Sequence, residues 1–211
     1  MKFPALATVI FFCIWLHFTL SRVSDADAKK RKSFWDRESE ANNVRKKSLD
    51  DLEYITIPLA ELPFGLLPDV QAITDAEGTI KDLSTEKIVN LTGFTNTDLK
   101  LMYGTANITP LSAYDQNYTS LVTALQKWGS QLFLYGKYPE ACTVLEFAVQ
   151  TKSDITDTYK LLCELYQGKL GLSSEAAEEK IKALLPTALS LNSLSKSRIL
   201  DTLSSYVDTS S

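Results

Sequence analysis

Histidine is nearly missing from this sequence: the one copy among 211 residues, His17, lies inside an apolar run. Its rarity takes Ser–His–Asp and Cys–His catalysis away from the rest of the chain, and most zinc sites with them. Cysteine is scarce as well. Cys13, Cys142 and Cys163 stand at unrelated spacings, and no Cys-x-x-Cys pair occurs. Cys142 and Cys163 fall on adjacent expected helices, where they read as small buried hydrophobes. A disulfide between them stays open. There is no G-x-x-x-x-G-K-S/T and no G-x-G-x-x-G, so a phosphate-cradling glycine loop has no support. No metal and no cofactor are expected. Eight glycines and seven prolines are too few for a collagen-like or low-complexity chain. A net charge of −4 gives no reason to expect nucleic acid as a partner.

A hydrophobic content of 45% over this length suits one globular domain with appendages. Phe3–Leu20 is apolar apart from Thr8, His17 and Thr19, and it is just long enough for a bilayer. Residues 3–20 are therefore expected to form a single transmembrane helix. Cleavage as a signal peptide is the rival, with Ala26-Asp27-Ala28 as an A-x-A site. Arg22, Lys29, Lys30, Arg31, Lys32 and Arg37 follow the run, whereas Lys2 alone precedes it. The positive-inside rule then places the body in the cytoplasm, with an extracytoplasmic body as the alternative.

Residues 21–50 read as a basic juxtamembrane segment and helical stalk. Lys29, Lys30, Arg31 and Lys32 are either a solvated flank or a contact for anionic lipid. Ser33-Phe34-Trp35-Asp36 has capping-box character and is expected to start a helix running to about Lys47, with Phe34 and Trp35 at the membrane interface. Residues 51–108 form the next section. Pro58 and Pro63 make Tyr54–Phe64 an extended segment, either packed on the helical body or offered to a partner's groove. Val70, Ile73, Ala76, Ile80 and Leu83 recur at helical spacing, with Gly78 as a weak point. Thr85–Leu91 reads as a short helix closed by Gly93. Thr95-Asn96-Thr97-Asp98 is a capping box opening a helix through Met102 that stops at Gly104.

Residues 109–208 carry the strongest pattern. Thr109-Pro110 starts a long helix to Tyr135. Leu125, Trp128, Leu132 and Leu134–Tyr135 make one buried face, Gly136-Lys137-Tyr138-Pro139 breaks it, and Ala141, Val144, Leu145 and Ala148 begin another. Gly136 suits the positive φ that ends a helix. Asp154–Gln167 and Ser174–Leu185 form a second pair, with Ser174 as N-cap and Pro186 bending or ending the helix. Ser195 caps a last helix whose face is Ile199, Leu200, Leu203 and Tyr206. Asp208–Ser211 is expected to fray. The fold class is thus all-α.

Over residues 122–190 the chain resembles the tetratricopeptide repeat, a helix–turn–helix unit of about 34 residues. Gly129, Gly136, Tyr138, Ala141, Leu145 and Ala148 match its small and aromatic positions in order. The face recurs as Tyr159, Leu162, Cys163 and Tyr166, followed by Gly171, Ala176 and Ala183. Ser153 stands where the family usually has proline, and Lys180 replaces a large apolar residue. The resemblance implies a hairpin array in which the first helix of each pair lines the inner surface. Gln126, Lys127, Ser130, Lys160 and Glu164 would then face a ligand.

The carboxylates at Asp50, Asp51 and Glu53, and at Glu175, Glu178 and Glu179, read as solvated faces. Tyr103, Tyr114, Tyr118, Tyr135, Tyr138, Tyr159 and Tyr166 fill the core or supply a recognition groove. The sequons at Asn90, Asn107 and Asn117 matter only in a secretory compartment. The expected function is that of a membrane-anchored helical-repeat adaptor that binds a protein or peptide and catalyses nothing. The alternatives are a secreted or envelope structural protein and an enzyme using carboxylates and tyrosines alone.

Overall fold

A computed structural model describes the backbone of residues 3–208 and the side chains of residues 10–17, 19 and 30–207. The expectations for Arg22, Ala26-Asp27-Ala28, Lys29, the side chain of Asp208 and residues 209–211 lie outside what is described. The protein is all-α: among the described residues there are eight α-helices, one 3-10 turn and no strand. The chain divides into two compact units. One takes Met1–Ser48 with Thr95–Ile108, and the other Leu49–Phe94 with Thr109–Ser211.

The first unit is built on α1, Phe3–Asn42. Among the described residues no helix is long and apolar enough to cross a membrane. That overturns the expected single-pass anchor over residues 3–20 and the placement of the body relative to a membrane. The run is interrupted by Thr8, His17 and Thr19, and its helix continues without a break into the charged Lys30–Lys32. The expected break before a stalk is also missing, because α1 runs unbroken through Lys30–Lys32. Ser33 does not cap a new helix: its hydroxyl donates back to the Lys30 carbonyl at 2.9 Å, as a serine inside a helix does. The helix stops at Asn42, short of the expected Lys47. Phe34 and Trp35 are exposed and stack edge to face at 5.5 Å, and Lys30, Arg31 and Lys32 are exposed beside them.

α3, Asn96–Tyr103, starts at the expected capping box. The Asp98 N–H donates to Thr95 Oγ1 at 3.2 Å, and the Thr95 N–H donates to Asp98 Oδ2 at 2.9 Å. Polar pairs tie α3 to α1: Arg37 to Asp98 at 2.5 Å, Lys100 to Glu38, and Thr97 Oγ1 to Glu38 Oε2 at 2.7 Å. Gly104, at φ +87°, ends α3 where the backbone approaches closely. A Cβ there would lie 2.4 Å from the Arg45 carbonyl oxygen. A 3-10 turn, Thr105–Asn107, follows, and buried Asn107 donates its amide to the carbonyls of Lys47 and Tyr103 at 2.8 and 2.7 Å.

In the second unit, α2 (Gln71–Leu83) buries Ile73, Ala76, Ile80 and Leu83, the face its spacing predicts. The proline-containing segment packs rather than projecting: Ile57 and Leu62 are buried, and the Phe64 ring lies 4.9 Å from that of Trp128. Among the described residues it pairs with a segment expected to be helical. Thr85 and Glu86 lie in a turn after α2 and residues 87–91 are non-helical, with Tyr54 bridged to Val89 and the Ile55 N–H donating to the Ile88 carbonyl at 2.9 Å. Two adjacent β-branched residues, Ile88 and Val89, are both buried there, an outcome that the helical spacing of the longer window concealed.

α4 (Ile108–Leu134) and α5 (Tyr138–Gln150) form the first hairpin. Gly136, at φ +72°, ends α4 in a Schellman turn: its N–H reaches the Phe133 carbonyl, and the Lys137 N–H reaches that of Leu132 at 2.9 Å. Gly129 is the crossing residue, since a Cβ on it would meet Leu145 Cδ2 at 2.5 Å. α6 (Thr156–Gly168) and α7 (Ser174–Ser190) follow, with Ser173 rather than Ser174 as N-cap. Pro186 does not end α7. It sits on the exposed side while Leu184 and Ala188 remain buried on the other. α8 (Lys196–Asp208) buries Ile199 and Leu203 against the stack. Cys142 and Cys163 are buried free thiols.

Candidate functional site

The second unit carries an open groove of about 540 Å³ between α5 and α7, with Tyr166 of α6 at its floor and Leu172 of the α6–α7 connection at one side. Its α7 wall is Ala176, Glu179, Lys180, Ala183, Leu184 and Thr187, residues spaced along one helical face. Ala176 and Ala183 are small on either side of Lys180, so the wall is hollow where larger side chains would close it. Val149 and Leu184 make the apolar lining, and Leu172 is partly exposed.

A polar cluster sits in this apolar setting. The Tyr166 hydroxyl donates to Glu146 Oε1 at 2.7 Å, and Lys180 Nζ reaches the same oxygen at 3.0 Å. Lys180 also lies 5.3 Å from the centre of the Tyr166 ring, within range of a cation–π attraction. Burial works against the Glu146 carboxylate, but the hydrogen bonds from Tyr166 and Lys180 outweigh it and hold the carboxyl below its ordinary range. The hydrogen bond to Glu146 in turn raises Lys180. Burial, reinforced by the Glu146 hydrogen bond, pushes Tyr166 well above an ordinary phenol. Burial and the Glu146 charge push the Cys142 thiol up to about 12. A thiol so disposed is protonated at neutral pH and is no nucleophile. The cluster is therefore a neutral thiol and phenol around one fixed ion pair.

The residues expected to face a ligand lie elsewhere in this unit. Gln126 and Ser130 sit on α4 and are joined to α6: Gln126 Nε2 donates to Ser130 Oγ at 3.1 Å, and the Thr158 hydroxyl donates to Gln126 Oε1 at 2.5 Å. Lys127 is exposed, and Lys160 pairs with Glu164 one turn along α6 at 4.0 Å. None of the five lines the α5–α7 groove. Of the tyrosines, Tyr118, Tyr159 and Tyr166 are buried, and the first two donate to the Lys152 and Ser153 carbonyls, both at 2.9 Å. Among the described residues no cluster of His, Cys, Asp and Glu is placed to hold a metal ion.

No family model, curated protein or solved structure matches the chain. The groove is read from its own chemistry. Sequence reasoning passed over Glu146, although a carboxylate inside CTVLEFAVQ is out of place on a helix that buries most of its residues. The matching signal was Lys180, which stands where the resemblance to the repeat would put a large apolar residue. The two anomalies are each other's explanation.

Proposed function

We propose that this protein is a helical-hairpin adaptor that binds a segment of another protein in the α5–α7 groove and has no catalytic activity. In this reading α4–α5 and α6–α7 are two stacked hairpins of the tetratricopeptide type, and α8 covers the open end of the stack. The observation that carries it is the groove: walls kept apart by Ala176 and Ala183, Tyr166 at the floor, a paired Glu146 and Lys180, and Glu179 on the α7 wall. Pockets of this size with few convergent polar groups are binding sites by default. The protonated Cys142 and Tyr166 argue against the carboxylate–tyrosine enzyme.

Selection from a random-peptide display library, run in parallel on the full chain and on Ala183→Trp, tests the reading. The indole would fill the hollow on the exposed side of α7. Enrichment of a shared motif on the natural chain that is lost on Ala183→Trp is the expected result. Enrichment of no motif, or of one indifferent to the substitution, rejects it.

A further inference from the structure

The groove has a chemical preference that follows from its unequal charges. The Tyr166 hydroxyl and Lys180 Nζ converge on Oε1 of Glu146, and the Cys142 thiol is hydrogen-bonded to the same carboxylate. Lys180 is held by that carboxylate and lies over Tyr166, so its charge is already matched. Glu179, on the same wall of α7, has no ion-pair partner among the described residues, whereas Glu178 next to it pairs with Lys182. The lining thus holds two carboxylates and one cation, and the excess is negative. A cationic ligand group is attracted at the rim, while an anionic one meets Glu179 unshielded.

Resting on the adaptor reading, we propose that the occupant is an amphipathic peptide segment. It seats one bulky apolar side chain between Ala176 and Ala183, against Val149 and Leu184, and places a Lys or Arg one turn away on Glu179. A helical segment presents its anchors three and four residues apart, which matches the spacing of the α7 wall. Specificity comes from the charge and affinity from the anchor, because a rim charge in water contributes little by itself.

Two fluorescein-labelled peptide sets of about twelve residues share one pattern of leucine anchors at i, i+3 and i+4, and differ only in Lys/Arg or Glu/Asp at the flanking positions. Anisotropy titration against the full chain should show the basic set binding at least about tenfold tighter than the acidic set. Glu179→Lys should abolish or invert that preference. Ala183→Trp should weaken the basic set by about tenfold or more, with thermal unfolding confirming that both variants stay folded. Charge-blind binding, a preference that survives Glu179→Lys, or no binding of either set overturns the proposal. If display selection yields a groove-dependent motif without a basic residue, the adaptor reading stands and this inference alone fails.

Discussion

Single atoms decide two positions in the helical stack. Gly129 is tolerated in the middle of α4 because Leu145 occupies the space a methyl would need. Replacing a helical glycine with alanine ordinarily gains about 1 kcal/mol in propensity. Here the Cβ would fall 2.5 Å from Cδ2 of a fully buried leucine that cannot swing clear. Overpacking costs about 1–3 kcal/mol and wins. Gly129→Ala should therefore lower the midpoint of thermal unfolding, and a rise would mean that the hairpin repacks freely. Lys152 is the opposite case. It ends α5 at φ +61°, in the left-handed region that a side chain disfavours by about 1 kcal/mol or more. Its ion pair with Glu53 is exposed and adds little. Lys152→Gly should raise the midpoint by a few degrees in calorimetry, since about 1 kcal/mol moves it by 2–4 °C at this size.

At the scale of elements, the same turn tests the family resemblance. The repeat pattern favours proline at position 153. In this fold the Ser153 N–H closes the Schellman turn on the Ala148 carbonyl at 3.1 Å, and Lys152 before it is left-handed. Proline would remove that bond and crowd the preceding residue. Ser153→Pro should destabilise by about 1–3 kcal/mol in urea denaturation, from the lost turn bond and the crowding of Lys152, even though the Ala148 carbonyl keeps the Thr151 hydroxyl at 2.8 Å. A gain would align the turn with the repeat consensus. The elements legible in the sequence were those with a local cause: the Thr95–Asp98 capping box, the α2 stripe, the Gly136 turn and the Gly129 crossing. Tertiary context decided the others. Thr85–Leu91 is not a helix because Ile55 and Tyr54 supply hydrogen-bond and bridge partners to Ile88 and Val89 from a distant segment, which no window on 85–91 contains. Pro186 stays inside α7 because buried neighbours hold the helix on both sides of it. The site was half legible: Lys180, Tyr166, Ala176 and Ala183 each stood out singly, but the convergence of Tyr166 and Lys180 on Glu146 needs three helices.

Across the whole molecule, each unit depends on carboxylates held ionised by donors. In the first, the hydrogen bonds from Lys100 and Thr97 hold Glu38 below its ordinary 4.5, and those from Thr95 hold Asp98 below its ordinary 3.8. In the second, the bonds from Tyr166 and Lys180 do the same to Glu146 against the opposing effect of burial. A carboxyl with a depressed folded pKa contributes stability that is fully present above its unfolded value and is lost as pH falls through the folded one. Stability should therefore start to fall near pH 4.5 and go on falling below 3.8. At the alkaline end, buried Tyr118, Tyr159 and Tyr166 resist ionisation, so stability should decline above the ordinary phenol value of 10.0. No histidine lies beyond position 17, so no step is expected in the helical body near pH 6–7. Glu146→Gln isolates the groove's share. The variant should be less stable than the natural chain at pH 7, because the amide cannot replace the anion facing Lys180. The two urea midpoints should converge as pH drops below 4.5, where the natural carboxyl also becomes neutral. Curves that stay parallel to pH 3 would place the acid sensitivity in Glu38 and Asp98 instead, leaving the ion pair in the groove without a stabilising role.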